Sequence, residues 1–138
     1  MSDFSSHTDI KAVRKRHRCA GCPGHVEVGE PAYRWTGSWD GQFGTAVYHV
    51  ECRAAEIALN DLHDTRCGDE WSALTDMEGD DHPWLLADFP IVAVRYGITA
   101  DTIRADEEER EACRVAWAES DAKRRSLATS RSQHEGAE

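Results

Sequence analysis

Four residues of this chain have the types and spacing of metal ligands: Cys19, Cys22, His49 and Cys52. They form two pairs, Cys-Ala-Gly-Cys and His-Val-Glu-Cys, with twenty-six residues between the pairs. Each pair offers two soft or borderline donors on one tight turn, and the two pairs together supply a tetrahedral Zn²⁺ site. Because a catalytic zinc ion keeps one position open, four protein donors predict one structural zinc ion. The alternative is that four unrelated core residues are spaced in this way.

The segment between the two pairs predicts a β-hairpin that would bring them together. Pro23 and Gly24 favour a turn directly after the first pair. Residues 32–39 contain the aromatic residues that are typical of a strand, and residues 45–48 predict the returning strand. The glycine-rich segment 40–44 predicts the connecting turn.

A helix is predicted directly after the hairpin. Apolar residues recur at spacings of three and four through residues 51–63. Cys52 therefore lies in the first turn of this helix, where the positive end of the helix dipole stabilises a thiolate. The predicted order of elements is a knuckle, a hairpin and a helix.

The rest of the chain is predicted to be mainly helical. Residues 84–97 form its most apolar stretch and are expected to pack against the metal-binding part, although periodicity does not decide whether residues 91–96 form a strand or a buried helix. Residues 69–77 predict a short helix capped by Asp69. From residue 102 to residue 127 a helical pattern runs without Pro or Gly, with a narrow apolar stripe and an exposed face.

These elements predict an α+β fold with four parts. The first is a mobile basic arm over residues 1–18, and the second is the metal-binding finger over residues 19–64. The third is an acidic, mainly helical extension over residues 65–127, which packs with the finger. Residues 128–138 are expected to form a disordered tail.

Charge is unevenly distributed along the chain. Its 138 residues include 26 Asp and Glu against 16 Lys and Arg, which gives a formal net charge of −10. Residues 61–111 hold fifteen acidic residues against four arginines, whereas five of the eight residues in 11–18 are basic. The basic run is interpreted either as a phosphate-contacting arm or as a solvated segment that offsets the acidic remainder.

The sequence indicates a cytoplasmic protein without a membrane partner. No apolar run approaches the roughly 20 residues that span a bilayer, and the N-terminus lacks the basic-then-apolar order of a signal peptide. Disulfides are disfavoured in a reducing cytosol. Cys67 and Cys113, which lie outside the ligand set, are therefore expected to be reduced and partly buried.

The predicted arrangement resembles a treble-clef zinc finger. Its order of C-x2-C, long hairpin and H-x2-C is similar to the poly(ADP-ribose) polymerase-type finger. In that family an arginine commonly precedes the first Cys, a Gly lies in the hairpin and an aromatic residue precedes the ligand His. Here Arg18, Gly41 or Gly44, and Tyr48 stand at these positions. The first half of a LIM domain has the same ligand order with a shorter loop.

The two resemblances imply different partners. The polymerase-type finger implies DNA binding through the phosphate backbone, and the LIM half implies protein docking. The sequence has no Gly-rich phosphate loop, GxSxG elbow or HExxH helix. Some treble-clef proteins are nucleases with His residues on the hairpin, but residues 33–48 contain no His. We therefore predict a non-enzymatic protein with no small-molecule substrate.

Nucleic-acid binding would use basic residues and an exposed aromatic residue. The candidates are Lys11, Arg14, Lys15, Arg16, Arg18, Arg34 and Phe43. Arg53 is a further basic candidate, whereas Tyr33, Trp35 and Trp39 alternate on one face of the hairpin and are expected to be core. Because the net charge is negative, such binding would fall steeply with salt.

Protein docking would use the acidic surface. Its candidates are Asp106, Glu107, Glu108, Glu109 and Glu111. Such a surface suits a basic or DNA-binding protein. A small, acidic, single-finger chain also resembles accessory proteins of phages and mobile elements, including inhibitors of host-defence complexes. We favour docking to a protein, such as nucleic-acid-handling or host-defence machinery, with DNA or RNA binding as the alternative.

Overall fold

The computed structural model describes residues 4–39, 42–66 and 70–135. The described strands are β1 (Phe4–Ile10), β2 (His17–Arg18), β3 (His25–Val26), β4 (Ala32–Trp39) and β5 (Gln42–His49). The described helices are α1 (Val50–Leu62), α2 (His82–Asp88), α3 (Pro90–Arg95) and α4 (Ala100–Glu135), with 3-10 turns at Leu74–Asp76 and Gly79–Asp81. The predicted α+β class is confirmed. The chain divides into two compact units, residues 1–100 and 101–138.

The main sheet is antiparallel with strand order β1-β4-β5. The predicted hairpin is confirmed, because β4 pairs with β5 and Tyr33 lies opposite Tyr48. Residues 32–39 form a strand as predicted, but β5 begins at Gln42, so residues 42–44 belong to the returning strand instead of the turn. The rest of the predicted turn lies outside the described residues.

The N-terminal segment corrects one expectation. Residues 4–10, predicted to be mobile and irregular, form β1 and pair with residues 32–38 of β4, with His7 opposite Trp35. An edge strand needs only backbone partners and can keep exposed polar side chains, so its sequence carries little periodic signal. Strand β1 therefore forms because β4 offers it an edge with which to pair.

A second, two-stranded sheet frames the first pair of cysteines. β2 pairs with β3, with His17 opposite Val26. The Cys19 amide donates to the Gly24 carbonyl at 3.1 Å, which closes the turn between these strands. The Ala20 amide donates to the Val47 carbonyl at 2.8 Å and ties the turn to β5. The knuckle is thus fixed to the strand that leads into α1.

Helix α1 follows β5 without a connecting loop and buries one face. Cys52, Ala55 and Leu59 are buried at the three-and-four spacing that the sequence predicted. α1 contacts β5, α3 and the 3-10 turn Leu74–Asp76. The core of residues 1–100 therefore forms around this helix.

The apolar stretch 84–97 forms two short helices, which decides the open question about residues 91–96 in favour of helix. α3 begins at Pro90, whose fixed φ angle suits the first helical position. Val92 and Ala93 are buried, and α3 contacts α1, so the stretch packs against the metal-binding part as predicted. The short helix predicted over residues 69–77 is a 3-10 turn at Leu74–Asp76, and Asp69 lies outside the described residues.

Helix α4 is longer than predicted. Residues 128–135, expected to be disordered, continue the helix, because the first Pro or Gly after residue 100 is Gly136. Cys113, predicted to be partly buried, is exposed on α4, whereas Cys67 lies outside the described residues. Neither α4 nor any other helix in the described part of the chain combines the length and apolarity that crossing a membrane requires.

The aromatic residues of the hairpin separate into two groups. Tyr33 and Trp35 are half-buried, and the Tyr33 ring packs edge-on against Tyr48 with ring centroids 6.1 Å apart. Phe43 is 69% exposed near the end of the hairpin. The side chain of Trp39 lies outside what the structure describes. The expectation of core packing thus fits Tyr33 and Trp35 only in part.

Candidate metal centre

The structure brings the four predicted ligands together. The donor atoms of Cys19, Cys22, His49 and Cys52 all lie within 4.8 Å of one another, and all four residues are buried. The knuckle supplies the first two, the last residue of β5 supplies His49, and the first turn of α1 supplies Cys52. Four Cys and His donors at this separation could hold one metal ion, as the spacing predicted.

His49 is oriented so that one particular ring nitrogen faces the sulfur atoms. Its Nδ1 lies 3.4 Å from Cys22 Sγ and 3.6 Å from Cys52 Sγ. Its Nε2 lies 2.9 Å from the His25 carbonyl oxygen. Because a carbonyl only accepts hydrogen bonds, this contact requires a proton on Nε2, and in a neutral imidazole the lone pair is then on Nδ1, which faces the sulfur atoms. This carbonyl thereby sets the tautomer that metal ligation requires.

Hydrogen bonds to sulfur favour the thiolate form of Cys19. Its Sγ accepts hydrogen bonds from the backbone N–H groups of Gly21 and His49, each at 3.3 Å. The side chain of Cys52 is the strongest influence, and together with these amides it outweighs burial and lowers the pKa of Cys19 to about 4. The same contact, reinforced by burial, raises the pKa of Cys52. Binding of a cation would displace the protons from these closely spaced sulfur atoms, because cysteine ligates a metal as the thiolate.

Two consecutive residues at the end of α3 support the cluster, and nothing in the sequence marked either of them. Arg95 places Nη1 3.5 Å from Cys52 Sγ and 3.2 Å from Glu51 Oε2. The Tyr96 hydroxyl donates to the Gly21 carbonyl at 2.6 Å. A divalent ion bound by three thiolates would carry one net negative charge, which the Arg95 guanidinium would compensate.

Replacing Arg95 with alanine is expected to weaken metal binding by roughly 10- to 100-fold, because a charge that balances the thiolates is lost. Competition with a chromophoric chelator measures this affinity. Arg16→Ala is the matched control, because Arg16 pairs with the exposed Glu27. Equal affinities of the wild type and Arg95→Ala would show that the guanidinium does not support the centre.

Gly21 lies where a side chain would meet a ligand. A Cβ atom at this position would be 2.9 Å from Cys52 Cβ and 3.0 Å from Tyr48 Cδ1. We expect Gly21→Ala to lower the free energy of unfolding by about 1–3 kcal/mol, the usual cost of overpacking. Urea unfolding measures the loss. Gly44→Ala, for which a Cβ has open space, is the control and should unfold like the wild type.

Four of the seven nucleic-acid candidates line two cavities, the first of which is also lined by Cys19 and Cys22. Arg18 and Arg34 line a cavity of about 700 Å³, and Arg14, Lys15 and Arg34 line a second of about 400 Å³. His17 lines both cavities. We call these residues and His17 the basic cavity cluster; its members are Arg14, Lys15, His17, Arg18 and Arg34.

The other three candidates are placed differently. Arg16 forms an ion pair with Glu27 at 2.9 Å, while Lys11 and Phe43 are exposed and line neither of these two cavities. The five acidic candidates are all exposed on α4. We call this set the α4 acidic cluster; its members are Asp106, Glu107, Glu108, Glu109 and Glu111.

Arg53, a further candidate for phosphate contact, is committed to packing instead. Its guanidinium lies over the rings of Tyr33, Tyr48 and Trp71, with the guanidinium carbon 5.0 to 5.3 Å from the ring centroids. Its Nη1 lies 2.7 Å from Oε2 of Glu56, whose side chain is almost fully buried. This interaction explains why Arg53 is half-buried, and it excludes the residue from an exposed phosphate-binding surface.

Asn60 makes a second polar connection between α1 and the segment after it. Its Nδ2 donates to the Glu56 and Ser72 carbonyls, and its Oδ1 accepts from the Ser72 amide and the Thr65 hydroxyl. Neither Glu56 nor Asn60 was marked by the sequence, because both resemble ordinary polar residues of an amphipathic helix. Their burial is a tertiary property.

Cys19, Cys22, His49 and Cys52 form one group of Cys, His, Asp or Glu side chains that could hold a metal ion. Within residues 4–39, 42–66 and 70–135 no other group of three or more such side chains lies close enough together. All four donors come from the protein, and each is held by the backbone or by a neighbouring side chain. No protein-family model matches the chain, and no curated protein or solved structure is significantly similar to it.

Proposed function

We propose that this chain is a non-enzymatic interaction protein stabilised by one structural zinc ion. Zinc–sulfur bonds of about 2.3 Å and zinc–nitrogen bonds of about 2.0–2.1 Å in a tetrahedron separate neighbouring donors by roughly 3.5–3.8 Å. The distances from His49 Nδ1 to the two sulfurs, 3.4 and 3.6 Å, support this fit. Four protein donors also leave no open position for a substrate. The order of knuckle, hairpin and helix supports the resemblance to a treble-clef finger.

The α4 acidic cluster is the feature that supports a docking role. All described residues of 101–132 are exposed except Ile103 and Asp121, which are half-buried. The helix also exposes 66% of Trp117, two turns beyond the acidic cluster. An exposed aromatic residue close to concentrated negative charge suits a basic protein partner, and electrostatic complementarity would steer their association. A nucleic-acid-handling protein has the required positive charge.

A pull-down with the full chain tests the docking role. We expect Asn and Gln replacements throughout the α4 acidic cluster to abolish capture of partners that the wild type retains. A matched control neutralises five exposed acidic residues of the first unit and should retain them; these are Glu70, Asp76, Glu78, Asp80 and Asp88. Identical partners for the wild type and the cluster variant would reject docking through α4.

Nucleic-acid binding is a second candidate, favoured by the basic cavity cluster. Arg18 and Arg34 come from separate strands and line one cavity, so their positive charges could contact neighbouring phosphates. A salt titration with single- and double-stranded DNA tests this function. We expect Arg18→Ala with Arg34→Ala to weaken binding and to reduce its salt dependence, whereas the control Arg16→Ala has little effect. No binding at about 50 mM salt would reject it.

A further inference from the structure

We propose that the acidic half of α4 docks onto the basic half of α4 in a second copy of this chain, with the two helices antiparallel, and that Asp106 and Glu109 are the members of the α4 acidic cluster that meet basic residues there. The inference rests on the proposed docking role and names its partner. Residues 100–112 contain six acidic residues and two basic residues, whereas residues 113–132 contain five basic residues and two acidic residues. An antiparallel arrangement places unlike charges together, and a parallel one places like charges together.

An uninterrupted stripe on α4 provides the contact surface. Starting at Ile103, its positions follow steps of three and four residues in strict alternation, which is the spacing of a coiled-coil seam. We call it the α4 stripe; its members are Ile103, Asp106, Arg110, Cys113, Trp117, Ser120, Arg124 and Leu127. Two of its members are large exposed apolar residues, Trp117 at 66% and Leu127 at 62%. Burial of these two side chains would favour association.

The α4 stripe of one copy is complementary to the same stripe of a second copy that runs in the opposite direction. When two copies run antiparallel about residue 115, equivalent positions pair as follows: Ile103 with Leu127, Asp106 with Arg124, Arg110 with Ser120, and Cys113 with Trp117. Two-fold symmetry repeats each pairing, so apolar layers lie at the centre and at both ends of the interface. The charged layer between them fixes the register, because a parallel pair would oppose Asp106 to Asp106. The acidic and basic halves of α4 would not by themselves produce these layer-by-layer pairings, which depend on the positions of the stripe residues.

Residues beside the α4 stripe set the expected strength. On one flank Glu109 faces Lys123 of the second copy, which adds attraction. On the other flank Glu107 faces Asp121 of the second copy, and Arg114 faces Arg114 of the second copy. Both pairings bring like charges together, which opposes association. Within one helix Asp121 pairs with Arg125 at 2.9 Å, but Arg125 is largely exposed and such a pair contributes little. We therefore expect a reversible dimer with a Kd in the micromolar range, weakened by salt.

Charge reversal on the full chain tests the pairing. Analytical ultracentrifugation at about 1–100 μM should show a monomer–dimer equilibrium for the wild type. Asp106→Arg and Arg124→Asp should each weaken self-association at least tenfold, because each opposes like charges in two layers. An equimolar mixture of the two variants should form heterodimers, because each of these layers then again contains one arginine and one aspartate. Circular dichroism of each variant would verify that α4 remains helical.

Glu119→Arg is the matched control. It makes the same change of charge as Asp106→Arg, but residue 119 is exposed outside the α4 acidic cluster and on the side of α4 that faces away from the stripe, so dimerisation should persist. Trp117→Ala should also weaken self-association at least tenfold. A wild type that stays monomeric at about 100 μM, or a variant mixture that fails to associate, would overturn the proposal.

The pull-down separates this proposal from the docking role. Capture of other proteins that depends on the α4 acidic cluster, with a monomeric chain, would leave the docking role standing and overturn self-pairing. A dimer that responds to charge reversal as described would support self-pairing whatever else is captured. A monomeric chain whose captured proteins do not depend on the acidic cluster would overturn both.

Discussion

Replacing Cys52 with serine is expected to unfold the segment of residues 19–62. Structural zinc contributes on the order of 10 kcal/mol of folding free energy, which is comparable to the whole stability of a typical domain, about 5–15 kcal/mol. The packing of α1 against β5, α3 and the 3-10 turn Leu74–Asp76 does not compensate for a loss of that size. Circular dichroism and thermal unfolding would measure the change, and a strong chelator should have the same effect on the wild type.

Cys113→Ser is the matched control for this experiment. It makes the same chemical change at an exposed position on α4, so it should unfold like the wild type. A Cys52→Ser variant that unfolds cooperatively at the wild-type temperature would show that the cluster does not depend on a metal ion for its fold.

Replacing Glu56 with alanine is expected to destabilise the first unit by about 3–5 kcal/mol, the usual cost of removing one partner of a buried ion pair. The Glu56 carboxylate accepts from Arg53 at 2.7 Å and from the Leu74 amide at 3.0 Å. Without it, a guanidinium enclosed by three aromatic rings loses its counter-charge. Urea unfolding of the full chain would measure the loss.

Glu27→Ala provides the comparison for Glu56→Ala. Glu27 also pairs with an arginine at 2.9 Å, but both side chains are more than half exposed, so the variant should lose at most about 1 kcal/mol. Glu56→Gln should fall between the two, because an amide keeps an acceptor for the Leu74 amide but lacks the charge. Equal stability of Glu56→Ala and Glu27→Ala would contradict a structural role for the buried pair.

The cluster of Cys and His side chains and the hairpin were predictable because local sequence determines them. Cys19 and Cys22 share one tight turn, and His49 and Cys52 lie on either side of a helix start, so each pair is positioned by its own neighbours. The hairpin then only has to bring two preformed pairs together. Fixed donor spacing is a local signal, and it survives without knowledge of the rest of the fold.

Features that depend on distant contacts were not predictable. Arg95 reaches Cys52 across 43 positions of sequence, and the Tyr96 hydroxyl reaches Gly21 across 75 positions. Strand β1 exists because it pairs with an edge of the sheet, whereas its own residues have no clear period. The length of α4 was underestimated for another reason: a polar composition indicated disorder, although residues 128–135 contain no Pro or Gly and extend a helix that has already formed.

Metal content of the purified full chain is the most direct test of the proposed centre. Native mass spectrometry, together with elemental analysis, should find one zinc ion per folded chain. Replacing His49 with alanine should reduce this stoichiometry, while the exposed-cysteine control Cys113→Ser should retain one ion. A folded wild-type chain that carries no stoichiometric metal, even after addition of zinc, would contradict the proposed structural role of these four residues.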